Sequence, residues 1–133
     1  MDLTAKKQAI ELLPLFVYGT LQRGAPNPWS RRLWADAVFV GEGRVRGRLY
    51  SLNGYPGMVD PAEAEDFVWG QVIRPADARH LMPALDQYEG DMFERLRKRA
   101  ILESGAQIEV WAWVYQGIVS EAGRIRSGRY EPV

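Results

Sequence analysis

The chain contains no cysteine, which removes disulfides, thiolate nucleophiles and cysteine-ligated zinc together. A single histidine, His80, leaves no material for a histidine-rich metal site, and a catalytic triad is set aside with it. Neither sign of charge is in excess: 17 Lys and Arg stand against 17 Asp and Glu, so nothing in the net charge draws the chain to nucleic acid or to an anionic membrane. No apolar run is long enough to span a bilayer, and the opening "MDLTAKKQAIELLPLF" lacks the apolar core of a signal peptide. What remains is a cytoplasmic protein whose partner is a small molecule or another protein, working with carboxylates, hydroxyls, backbone amides and arginine.

Its 133 residues suit one domain with a single core. Residues 1–13 read as a leader, helical or mobile, and 14–133 as the domain. "LPLFVYG" is apolar on both faces and reads as a buried first strand ending at Gly19. In "APNPWSRRL", Ser30 reads as the N-cap of a short helix. "AVFVGEGRVRGRLYSL" reads as one strand ending at Leu52, and Asn53-Gly54 after it is a strong hairpin signal. "FVWGQVIR" is another strand.

"ADARHLMPALDQYEG" places Leu81, Leu85 and Tyr88 on one helical stripe and closes on Gly90, with Pro83 arguing for a kink or a break into two helices. "RKRAILES" and "QIEVWAWVY" flank Ser104-Gly105 as a hairpin whose second strand is apolar on both faces and therefore central. The expected fold class is α+β: a small mixed domain around a sheet curled into a β-barrel, with one main helix packed on it.

Two places break local rules. Glu89 lies in the last turn of its helix, at the negative end of the macrodipole, where a carboxylate costs stability. Either it is exposed and pairs with Arg95 or Arg97, or it is partly buried and its pKa is raised toward the range of a general base. The second place is the end of the first strand. Gly19-Thr20-Leu21 frees successive backbone N–H groups that can form an anion-binding concavity, or it is an ordinary turn with Thr20 bonded to its own backbone.

Other features carry less. Glycines 41, 43 and 47 have the wrong spacing for a dinucleotide fingerprint, and a strand rather than a helix follows them. Trp111, Trp113 and Tyr115 at period two read as barrel wall rather than a stacking platform for bases. His80 reads as a packed or surface residue.

Taken in order, "VYGTLQRG", "GRLYSLNGYPGMV", "ALDQYEG" and "WAWVYQG" resemble the γ-glutamylcyclotransferase-like superfamily, and most closely its AIG2-like branch, which includes γ-glutamylamine cyclotransferases. The resemblance runs from about Leu15 to Tyr130. It implies a mixed domain built around a β-barrel and, where there is activity, cyclisation of a γ-glutamyl group to 5-oxoproline with release of the amine, without metal or cofactor. Tyr18, Gly19, Thr20 and Leu21 match the family's substrate-binding loop, whose amides hold the α-carboxylate end of the substrate, and Glu89 matches its catalytic glutamate.

One segment departs from the pattern. Where the family has "YxR" after the "EG", this chain has phenylalanine, so Phe93 and Arg95 correspond if the loop is about two residues shorter. Tyr18, Tyr88 and Tyr115 are all candidates to line the pocket. A non-catalytic small-molecule-binding or interaction domain of the same fold is the competing expectation.

Overall fold

A computed structural model describes residues 12–131. The leader expected over 1–13 therefore lies, but for its last two residues, outside the described residues. Among the described residues there are seven strands: β1 (Leu15–Val17), β2 (Val38–Arg46), β3 (Arg48–Leu52), β4 (Tyr55–Val59), β5 (Phe67–Arg74), β6 (Phe93–Leu102) and β7 (Gln107–Tyr115). Two α-helices accompany them among the described residues, α1 (Pro28–Ala35) and α2 (Ala78–Glu89).

Five strands close into a barrel in the order β1-β5-β2-β6-β7, as the α+β reading expected. Four of its pairings are antiparallel, and the barrel is completed by a parallel contact between Leu15 of β1 and Trp111 of β7. Closure gives β7 a partner on each side. The remaining strands, β3 and β4, form a separate two-stranded hairpin.

Alternation along the strands divides the core in two. Phe16, Val68, Val72, Ala100, Val110 and Ala112 fill the barrel. Leu15, Val17, Ile73 and Trp113 point outward from the same strands and meet Leu33 of α1 and Leu81, Met82 and Leu85 of α2. β1 is thus buried on both faces because it is at once barrel wall and helix seat.

Three local expectations are corrected. The stretch from Val38 to Leu52 is two strands, not one: the chain leaves the barrel at Gly47, where a Cβ would lie 2.8 Å from Met58 Cγ, and enters the hairpin. The cap of α1 is Asn27, whose side chain accepts from Ser30 N, with Pro28 at the first helical position. Ser30 Oγ instead donates to Gln22 O at 2.6 Å. Pro83 does not split α2, because Leu81 and Met82 before it and Leu85 after it are anchored in one apolar cluster while the proline itself is exposed.

The turn at Asn53-Gly54 has φ of 51° and 96°, the paired left-handed geometry that sets a two-residue hairpin, and it aligns Leu52 with Tyr55.

Candidate active site

The chain turns away from β1 at Gly19, and the turn is closed by Gln22 N donating to Gly19 O at 3.1 Å. Four consecutive carbonyls are then held by side chains. Gln22 Nε2 donates to Tyr18 O at 3.0 Å and to Gly19 O at 3.2 Å, Asn27 Nδ2 to Thr20 O at 2.8 Å, and Trp34 Nε1 to Leu21 O at 2.9 Å. The N–H groups of Gly19, Thr20 and Leu21 donate to no acceptor among the described residues. Successive unsatisfied amides on a loop whose carbonyls are engaged by side chains have the chemistry to receive an anionic group.

The same loop walls a concavity with Tyr55 and Pro56 of β4, Glu89 of α2 and Trp113 of β7. It encloses about 340 Å³ of empty space, its open mouth included. The wall of Pro56 is close: a Cβ on residue 19 would fall 2.7 Å from Pro56 Cγ, which is why glycine stands there.

Glu89 ends α2, where Gly90 at φ 94° turns the chain and donates its N–H to Asp86 O. No basic residue occupies the last turn of this helix. Burial pushes the Glu89 carboxyl up to about 7, and the Asp86 carboxylate one turn earlier adds to the rise. Glu89 makes no hydrogen bond or ion pair among the described residues. Of the partners weighed from the sequence, Arg95 binds Asp86 and Arg97 binds Glu109.

Tyr18 lines the concavity but its hydroxyl is committed. It donates to Trp113 O at 2.7 Å and accepts from Met58 N at 3.1 Å, joining β1 to β7 and β4. Burial carries its phenol well above the ordinary value; the Glu89 charge adds to this and the Met58 bond opposes it. Tyr88 lies outside the lining and meets Thr20 Oγ1 at 2.8 Å. Tyr115 lines a different surface depression and packs on Phe93, ring centroids 5.3 Å apart. Tyr55, which the sequence did not single out, is the tyrosine that joins Tyr18 in the wall.

The "LDQYEG" stretch is now legible residue by residue. Leu85 is buried in the helix seat, Asp86 reaches β6 and β7, Tyr88 reaches the loop, Glu89 enters the concavity, and Gly90 turns the chain. Phe93 begins β6 directly after the turn, Phe93 N donating to Gly90 O, and two residues on Arg95 donates from Nε and Nη2 to Asp86. Gln22, Asn27 and Trp34, which orient the loop, carry no signal in the sequence, since their partners are backbone atoms of a loop whose path is not yet known.

Fold and concavity together define a small α+β barrel that pairs a helix-terminal carboxyl with a loop of free amides. Residues 15–132 match the family model named gamma-glutamyl cyclotransferase, AIG2-like, and the chain belongs to that family. A Methanocaldococcus jannaschii protein named among the gamma-glutamylcyclotransferases is 31% identical over 124 residues, 86% of this chain and 97% of that one. Bovine gamma-glutamylaminecyclotransferase is 33% identical over 105 residues, 69% of this chain and 58% of its own length.

The crystal structure of a mouse AIG2-like protein superposes with a TM-score of 0.64 at 20% identity, over 91% of this chain and 96% of that one. An uncharacterised Pyrococcus horikoshii protein superposes with a TM-score of 0.63 at 20% identity, over 88% of each chain. These two likenesses establish the fold.

Proposed function

We propose that the protein is a cyclotransferase converting a γ-glutamyl amide into 5-oxoproline and a free amine, with Glu89 as general base and then acid. The observation that carries this reading is that one concavity holds both the undonated amides of Gly19, Thr20 and Leu21 and an unpartnered carboxyl poised near neutrality.

A γ-glutamyl amide contains its own nucleophile. Its α-amino nitrogen can close a five-membered ring on the γ-carbonyl, so catalysis needs orientation and proton transfer rather than a covalent enzyme intermediate. The loop amides receive the α-carboxylate and fold the substrate toward the ring-closing conformer. Glu89 takes a proton from the α-ammonium; the freed amine attacks the γ-carbonyl; the C–N bond to the leaving amine breaks as Glu89 returns the proton to that nitrogen, and the second proton shed by the ring nitrogen passes by way of Glu89, so that the amine departs as an ammonium. The hydroxyl of Tyr18 is spent on Trp113 O, so its part is to hold the loop against β7 and β4 rather than to move protons.

Among the described residues the lining contains no lysine or arginine to pair with a carboxylate on the leaving group. This favours γ-glutamylamine-type substrates over γ-glutamyl amino acids. The test incubates the purified protein with γ-glutamyl amines, γ-glutamyl amino acids and glutathione and follows 5-oxoproline by mass, with Glu89→Gln alongside. Product from the wild type alone, greatest with the amines, is the expected result. No product from any substrate leaves a binding domain of the same fold.

A further inference from the structure

Asp86 has no part in this reaction scheme, yet its carboxylate accepts three hydrogen bonds from two strands. Arg95 Nε of β6 donates to Oδ1 at 2.9 Å, Arg95 Nη2 to Oδ2 at 3.2 Å, and Trp113 Nε1 of β7 to Oδ1 at 2.9 Å. We infer that, on the reading of Glu89 as the base, Asp86 is a positioning residue: it detains Arg95 away from Glu89 and fixes the tryptophan that lines the same concavity.

Asp86 and Glu89 stand three residues apart on one helix and so share a face. A guanidinium on the facing strand pairs with whichever carboxylate offers the better fork, and the two-point contact with Asp86 is the stronger form. Arg95 is seated further by lying 4.6 Å over the Trp111 ring. Paired with Glu89 instead, it would occupy the lone pairs that a base needs and hold the carboxyl ionised.

The groups set around Glu89 are few. The Tyr18 phenol follows β1, the Tyr55 phenol comes from β4, Trp113 of β7 brings no charge, and Asp86 and Tyr88 share its helix. Arg95, reached through Asp86, is the cation of this set. The ion pair therefore gives Glu89 a negative neighbour whose field is partly offset, and each half can be removed separately.

The deciding experiment titrates the Glu89 side-chain carboxyl carbon by NMR in the wild type, Asp86→Asn and Arg95→Gln. Asp86→Asn removes the negative neighbour and releases Arg95, so the midpoint should fall by roughly one pH unit. Arg95→Gln leaves Asp86 uncompensated, so the midpoint should rise by a comparable amount. Both variants break the same pair, and a purely structural role cannot move the midpoint in opposite directions.

Unchanged midpoints, or shifts of one sign, overturn the inference. If Asp86→Asn does not fold, Arg95→Gln decides alone: a rise supports the role, and no change or a fall refutes it. Where the wild type is active, the acid limb of kcat/KM should move with the NMR midpoint. If the wild type turns over no γ-glutamyl amide, the cyclotransferase reading fails while the titration still settles what Asp86 does to Glu89.

Discussion

Thr20 Oγ1 lies 2.8 Å from the Tyr88 hydroxyl, and this bond ties the glycine loop to the helix that carries Glu89 across 68 residues of sequence. Removing either partner should loosen the loop relative to the carboxyl. Tyr88→Phe and Thr20→Val are each expected to cost about 1 kcal/mol in urea unfolding and to raise KM several-fold. The double variant should cost no more than about the larger single one, because both remove the same bond. Full additivity would show the bond to be incidental.

Glu89→Gln should abolish turnover while the fold persists, a loss of about 100-fold or more in kcat, consistent with removal of an acid-base group. Circular dichroism and 5-oxoproline release, measured on the same preparation, check the two halves of this statement.

The pH dependence has a definite sign. With a value near 7 in the folded protein against an ordinary 4.5, the Glu89 carboxyl keeps its proton in the folded state between those limits. Its stabilising contribution is full below 4.5 and is lost as pH rises to 7. Glu89→Gln should therefore match the wild type in stability near pH 4 and exceed it at pH 8. Wild-type kcat/KM should climb through pH 7 to a plateau as the base ionises. Urea titrations and rate profiles over this range provide the check.

Gly19→Ala should raise KM and destabilise the protein by about 1–3 kcal/mol, since the added methyl meets the Pro56 ring. Pro56→Ala in the same chain should recover part of both losses. A Gly19→Ala protein with unaltered KM would mean the loop does not touch substrate.

Tyr18→Phe separates a strut from a catalyst. It leaves Trp113 O and Met58 N without their buried partner, so stability should fall by about 1–3 kcal/mol. If Tyr18 acts only by holding the loop, kcat measured well below the unfolding temperature should change less than threefold or so, within the cost of a small misplacement. A collapse of kcat would assign the phenol a proton.

Much of this was legible beforehand, for reasons that differ by element. Asn53-Gly54 announced its hairpin because a left-handed pair of residues is a local requirement. Five or more strands with one well-formed helix pointed to a curled sheet; Glu89 drew notice by its conflict with the helix dipole, but only the family resemblance favoured a buried base over an exposed ion-pair partner. The break at Gly47 was not, because it depends on Met58 eleven residues further on. Ser30 and Asn27 both suit an N-cap, and Pro28 at the first helical position, which favours Asn27, lies ahead of the residue read as the cap. Tyr55 escaped notice because its place in the wall follows from how the β3–β4 hairpin lies against the barrel, which no periodicity encodes.

The parallel contact of Leu15 with Trp111 has a consequence for how the protein is made. The loop of free amides hangs from the first strand of the barrel, and that strand, paired on one side with β5, gains its second partner only when β7 has been synthesised. A nascent chain on the ribosome, however well its β2–β5 pairing has formed, holds no concavity until Trp113 has emerged. Whatever binds there meets finished molecules and never partial ones.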